Sequence, residues 1–140
     1  MSILPNIVKY LEDNGLGIIN DDLFYTHIPY RKEGISLIER GGSVNSKVVS
    51  SQNIDVYAIY NNGNFARIRL NEFMKFFCSQ TCICYLPPYI DCNTCEYPEY
   101  EGSVSLTLLS PLESLGKNEN NNFVFRFTIN AKYLNCLKGA

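Results

Sequence analysis

Hydrophobic positions along this chain recur with two different periods, and the switches between them divide it into elements. In the first segment Leu4, Val8 and Leu11 fall at helical spacing with Ile7 beside them. Pro5 stands where an early-turn proline is tolerated and Gly15 where a helix is commonly stopped, so a first helix is predicted there. Residues 65–77 carry the same period: Ala66, Leu70, Phe73, Met74 and Phe77 make one stripe, and Arg67, Asn71 and Lys75 the opposite one. Alternation marks the strands. Ile54, Val56, Ala58 and Tyr60 share one face of residues 53–60, and Asp55, Tyr57 and Ile59 the other. Val104, Leu106 and Leu108 point one way and Ser103, Ser105 and Thr107 the other. The clearest strand sets Phe123, Phe125, Phe127, Ile129, Ala131 and Tyr133 against Val124, Arg126, Thr128, Asn130 and Lys132.

The remaining segments are punctuation. Residues 35–40 read as a strand that ends at Gly41-Gly42, a pair suited to a tight turn. Residues 15–34, broken by Gly15, Gly17, Asn20-Asp21-Asp22 and Pro29, suit a loop, a short strand and another loop. Residues 116–122 form a polar turn. The Cys-, Pro- and Tyr-rich stretch 78–102 reads as a loop or excursion, because Pro87-Pro88 and Pro98 forbid a long regular element. This order predicts an α+β domain of two layers, a mostly antiparallel or mixed sheet of about five strands with both helices packed on one face.

Composition narrows the class. A chain of 140 residues that is 46% hydrophobic suits one core, and a single domain is expected over 1–140. The formal net charge is −2 and Lys and Arg are scattered, which gives no electrostatic footprint for nucleic acid. The N-terminus lacks the features of a secretory leader, and no apolar run approaches the roughly 20 residues of a membrane-spanning helix. A cytoplasmic product that does not enter a membrane is the expectation.

Six cysteines are many for such a protein, and five of them (Cys78, Cys82, Cys84, Cys92, Cys95) crowd together while Cys136 stands apart. Cys82-x-Cys84 followed by Cys92-x-x-Cys95 offers four thiolates in a short span, enough for a tetrahedral structural zinc. The competing account, favoured here, makes them small apolar packing residues, since free Cys is commonly buried, with a disulfide able to form once outside the cell. The tyrosines interleaved with them, Tyr85, Tyr89, Tyr97 and Tyr100, suit a protein-contact surface or a local packing cluster equally. His27 is the only histidine, no nucleotide, metalloprotease or hydrolase motif occurs, and the acidic residues fall in loops. No catalytic or cofactor-binding residue is assigned, and the expectation is a protein that is not an enzyme.

Three stretches together carry a family resemblance. NGLG precedes DDLFYTHIPYRKEGISLIERGG, with Leu23, Phe24, Pro29, Glu39, Gly41 and Gly42, and the chain closes on SPLESLGKNENNNFVFRFTINAKY, with Ser110, Pro111, Leu115, Gly116, Glu119 and Asn120. In that order they resemble the tail-terminator proteins of long-tailed bacteriophages, also called minor capsid proteins, over nearly the whole chain except the cysteine segment. The resemblance implies a virion subunit, assembled in the host bacterial cytoplasm, that forms a hexameric ring on the end of the tail tube. Such a ring stops polymerisation at the tail-neck junction and offers a surface for head attachment. Its partners would be the major tail tube protein and a head-completion or neck protein, and Glu39, Arg40, Gly41 and Gly42 would be candidates for a subunit or tail contact. Two alternatives stay open: another neck or head-completion ring protein, and a zinc-stabilised protein-binding module built on the cysteines.

Overall fold

The computed structural model describes residues 3–29, 32–44, 49–79, 82–91 and 95–134. The first helix, α1 (Leu4–Asp13), takes Pro5 in its first turn and buries Leu4, Ile7, Val8 and Leu11. It ends as Gly15 dictates. With φ at +80°, Gly15 turns the chain so that its N–H donates to the Glu12 carbonyl (3.0 Å) and the Leu16 N–H to the Leu11 carbonyl (3.1 Å), the paired bonds of a Schellman motif.

Three strands follow: β1 (Leu23–Phe24), β2 (Gly34–Val44) and β3 (Val49–Tyr60). Helix α2 (Gly63–Ser79) is opened by Asn62, whose side-chain oxygen accepts the Phe65 N–H at 3.0 Å. It buries the expected stripe of Ala66, Leu70, Phe73 and Phe77, with Met74 packed at its margin. The chain then forms β4 (Cys82–Leu86), β5 (Tyr89–Asp91), β6 (Cys95–Tyr97), β7 (Tyr100–Lys117) and β8 (Phe123–Leu134).

Six strands form one sheet in the order β1-β2-β3-β8-β7-β4, mixed because β1 runs parallel to β2 while the other pairs are antiparallel. The sheet is curled into a half-barrel. Its inner positions come from opposite strands in register: Leu37 beside Val56 beside Phe127, and Ile54 beside Ile129 beside Leu108. These side chains, apart from Leu108, make one core with both helices, and full burial of each large one is worth roughly 1.5–3 kcal/mol relative to exposure. Helix α2 crosses β3, β8 and β7, whereas α1 touches β1 and β2 at one end of the sheet and β4 at the other. Thus α1 fills the gap that the incomplete barrel leaves between its edges.

The α+β class with both helices on one face is as expected, with six strands in the main sheet where five were anticipated. The sixth, β4, lies in the stretch read as an excursion. Its buried residues Ile83 and Leu86 are three apart, which breaks alternation; a bulge between Ile83 and Tyr85 brings both inward. Strand β2 does not stop at Gly41-Gly42 but continues to Val44, with a bulge between Glu39 and Gly41. Strand β7 likewise passes through Ser110-Pro111 to Lys117, with three register shifts against β8.

The loop between α1 and β1 is fixed from both helices. Arg69 of α2 donates to the Leu16 carbonyl at 2.9 Å and pairs with Asp22 at 3.7 Å, while Asp22 accepts the Ile18 N–H at 2.7 Å. From α1, Glu12 accepts the Ile19 N–H at 2.7 Å and the Lys9 ammonium at 2.8 Å. The Lys9 hydrogen bond, aided by the Ile19 N–H, holds the Glu12 carboxyl below its ordinary value.

Two predictions follow from these contacts. A Cβ at Gly34 would lie 2.8 Å from the Asp22 carbonyl oxygen, a backbone atom of the neighbouring chain segment. Gly34→Ala is therefore expected to destabilise the fold by about 1–3 kcal/mol in urea unfolding with an unchanged slope; a loss under about 0.5 kcal/mol would mean that β1 is free to move. Glu12 contributes stability fully above its ordinary value of 4.5, and that contribution is lost as pH falls through its lower folded-state value. Glu12→Gln should cost roughly 1 kcal/mol near neutral pH, with the difference from wild type shrinking as pH falls below the ordinary carboxylate value and through the lower folded-state one. A pH-independent difference would contradict the charge-based account.

Candidate functional site

The residues singled out from the sequence do not converge on one centre. Glu39 and Arg40 stand exposed on β2, and the bulge there sends Arg40 across the outer face to pair with the buried Asp55 at 3.6 Å. Asp55 also accepts the Thr128 hydroxyl at 2.6 Å and the Tyr57 hydroxyl at 3.3 Å. The outer face continues as a partnered polar ladder. Asn130 donates to Ser51 and Asn53 at 2.7 and 2.9 Å, and Arg126 pairs with Glu113, whose hydrogen bonds raise the guanidinium above its ordinary value.

The four tyrosines divide by environment. Tyr100 is buried edge-on to Tyr133, with ring centroids 5.9 Å apart. Tyr89 is half-buried between Tyr97, stacked at 6.4 Å, and Tyr25, edge-on at 5.7 Å. Tyr85 is exposed on β4, where its hydroxyl donates to Glu99 at 3.0 Å and its own ionisation is pushed up by that carboxylate.

Of the proposed zinc ligands, Cys82 and Cys84 are exposed free thiols on β4 and not the buried packing residues expected, because the strand's bulge turns Ile83 and Leu86 inward instead; Cys82 Sγ lies 3.2 Å from the Ser103 hydroxyl. Cys92 lies outside the described residues, as does the side chain of Cys95. Among the described residues no group of three or more His, Cys, Asp or Glu side chains is placed to hold a metal. His27 is exposed in the segment after β1.

What the fold does assemble is apolar surface at the sheet margins. Strand β4 pairs with β7 only over 100–105 and β1 pairs with β2 only at Ile35 and Ser36. Among the described residues, positions 37–44 of β2 and 106–117 of β7 therefore have no strand on their outer side. The β7 margin carries Leu108, Leu109 (53% exposed) and Leu115. Leu108 faces inward as its alternation predicts, yet it stays 41% exposed because an open groove of about 390 Å³ lies between β7 and the last turn of α2, lined by Phe77, Cys78, Leu106, Leu108 and Ile129. Pro111 and the bulges interrupt the β7 ladder, which disfavours addition of a further strand at this margin.

Further exposed apolar residues sit elsewhere. Phe65 and Ile68 project from the first half of α2 beside the loop bearing Ile18. Tyr85 on β4 and Ile90 on β5 are also exposed. Of these exposed apolar residues Tyr85 was singled out from the sequence as a contact candidate; the clamping roles of Arg69 and Asp55 were not read from it. For Asp55 the available signal was an acidic residue inside an alternating strand.

Exposure of Cys78, Cys82 and Cys84 predicts that at least three thiols react with a chromogenic disulfide reagent in the reduced native protein without denaturant. Fewer than three fast equivalents would mean that a ligand or partner covers them. Among the described residues no helix is long and apolar enough to cross a membrane. No known family model matches the chain, and no curated protein is significantly similar to it.

Proposed function

We propose that this chain is a structural ring subunit, the tail terminator of a long-tailed phage, which closes on the end of the tail tube, stops its growth and presents a face for head attachment. The observation that carries the reading is the presence of several exposed apolar residues on one small α+β domain: Leu108, Leu109 and Leu115 on β7, Phe65 and Ile68 on α2 with Ile18, and Tyr85 and Ile90 on β4 and β5. A head-to-tail ring requires each subunit to offer two different surfaces, one to each neighbour, and a stacked ring needs a third for the tube. Exposed apolar groups of this kind mark contact sites when they gather on a surface.

The sequence resemblance supports the same reading independently. The role requires no bond to be made or broken, in keeping with an expected non-enzymatic function, and its partners are further copies of the chain, the tail tube protein and a neck or head-completion protein. The β2 stretch with Glu39, Arg40, Gly41 and Gly42 is the second margin of the sheet. It lies at the opposite end of the strand order from the β7 group, which suits contact with a different neighbour.

Light scattering after size exclusion, in reducing buffer, tests the proposal. The expected result is a mass six times that of the chain, alone or after addition of tail tubes. A chain that stays monomeric in the presence of tubes overturns it. Leu109→Asp places a charge on the β7 margin without touching the core, and it should weaken self-association by roughly tenfold or more while leaving thermal unfolding of the monomer nearly unchanged.

A further inference from the structure

Strands β5 and β6 pair only with each other and form a sheet separate from the main one. A lone two-stranded ribbon is marginal in water, so its position must be set by what fastens it. Its two ends are insulated from the main sheet: Pro87-Pro88 stands between β4 and β5, and Pro98 between β6 and β7. Proline has no N–H to continue a ladder, so hydrogen bonding in β4 and β7 does not propagate into the ribbon.

Among the described residues, two attachments tie the ribbon to the rest of the chain at named atoms and rings. Asn6, only 3% exposed in the first half of α1, donates its side-chain amide to the Pro87 carbonyl and the Pro98 carbonyl, both at 2.9 Å, with the Tyr97 carbonyl at 3.4 Å. One neutral amide thus ties both hinge points of the ribbon to the helix. At the far side, Tyr89 meets Tyr25, the residue after β1, edge-on. The ribbon starts from β4 at one edge of the half-barrel, passes α1 and reaches the residue beyond β1 at the other edge.

We propose that β5–β6 is a latched strap across the mouth of the half-barrel, a unit that detaches from α1 without unfolding the sheet, with Asn6 as its latch. Engaged, the strap holds α1 in the gap and keeps Ile90, 63% exposed, facing outward in a fixed position. Released, it frees the ribbon and the contacts above Asn6 together, so occupation of Ile90 by a partner and the seating of α1 are coupled through one side chain. Asn6 is a positioning residue in this device and acts through the two proline carbonyls.

Hydrogen–deuterium exchange of the full chain tests this, comparing wild type with Asn6→Ala and, separately, Tyr25→Leu. In Asn6→Ala the amides of β5 and β6 should exchange roughly tenfold to a hundredfold faster, as expected when buried carbonyls lose their donor and a local unit opens. Amides of β3 and β8 should stay within about twofold of wild type, since they belong to the globally protected sheet. Tyr25→Leu should speed exchange in the same ribbon by a smaller factor, and it supplies the reading if Asn6→Ala does not fold. Unchanged protection of β5 and β6 overturns the proposal. Equal loosening of β3 and β8 in either variant overturns it too, because Asn6 would then be part of the common core and not a latch.

Discussion

A sheet that curls far enough to wrap two helices, but not far enough to close, leaves two edges that cannot satisfy each other. Here that constraint governs the rest of the molecule. The edges are β1 with β2 on one side and β4 with β7 on the other, and the gap between them is occupied by α1, whose apolar face meets both. A helix can serve there because its backbone bonds are internal and it needs only apolar contact from its neighbours. The helix must then be held at the correct height and angle, which explains why its polar contacts are spent on anchoring. Glu12 and the Schellman turn fix the chain leaving it, and Asn6 fixes the strap passing over it.

Helix α2 solves a simpler problem, since it lies across the middle of the sheet on β3, β8 and β7. Its stripe of Ala66, Leu70, Phe73 and Phe77 matches the inner faces of those strands, where Phe127 and Ile129 are fully buried. Arg69 emerges beside the stripe, its guanidinium over the Phe73 ring, and reaches back to the loop that precedes β1. A side chain that is apolar along its stem and charged at its tip can bridge core and loop in this way. The two helices are therefore joined through the loop of residues 16–22 as well as through the core.

The parts of the fold legible in the sequence are those where one period governs an uninterrupted element. Strands β3 and β8 pair residue for residue over their length, so their alternation survives intact. Strand β4 was hidden because its bulge converts an i, i+3 spacing into a shared face, and because its cysteines suggested chemistry before structure. The Gly41-Gly42 pair resembled a turn, yet β2 runs through it, since two glycines are acceptable in an edge strand whose outer side is open. Leu108 was read correctly as inward-facing, but no alternation pattern reports that the helix above it stops short and leaves a groove. Of the site residues, the tyrosines were legible as a group while their division into buried Tyr100, half-buried Tyr89 and Tyr97 and exposed Tyr85 depends on the curl of the sheet. Asn6 was out of reach, because its meaning lies in two carbonyls more than eighty positions away.

The same incompleteness that makes the fold difficult to close would give the proposed ring subunit its working surfaces. A closed barrel would have no margins, whereas a half-barrel with short outer strands retains stretches of β2 and β7 that nothing in the described chain covers. Pro111 and the bulges in β7 limit indiscriminate strand addition, and Arg40 with its bulge does the same on β2. What remains available is side-chain contact of defined shape, such as Leu108 in the groove under α2 and exposed Leu109 next to it in sequence. Selective contact of this kind favours one geometry of neighbour over open-ended aggregation. The ring proposed for this chain, closing at a fixed number of copies, would require that restriction as much as it requires affinity.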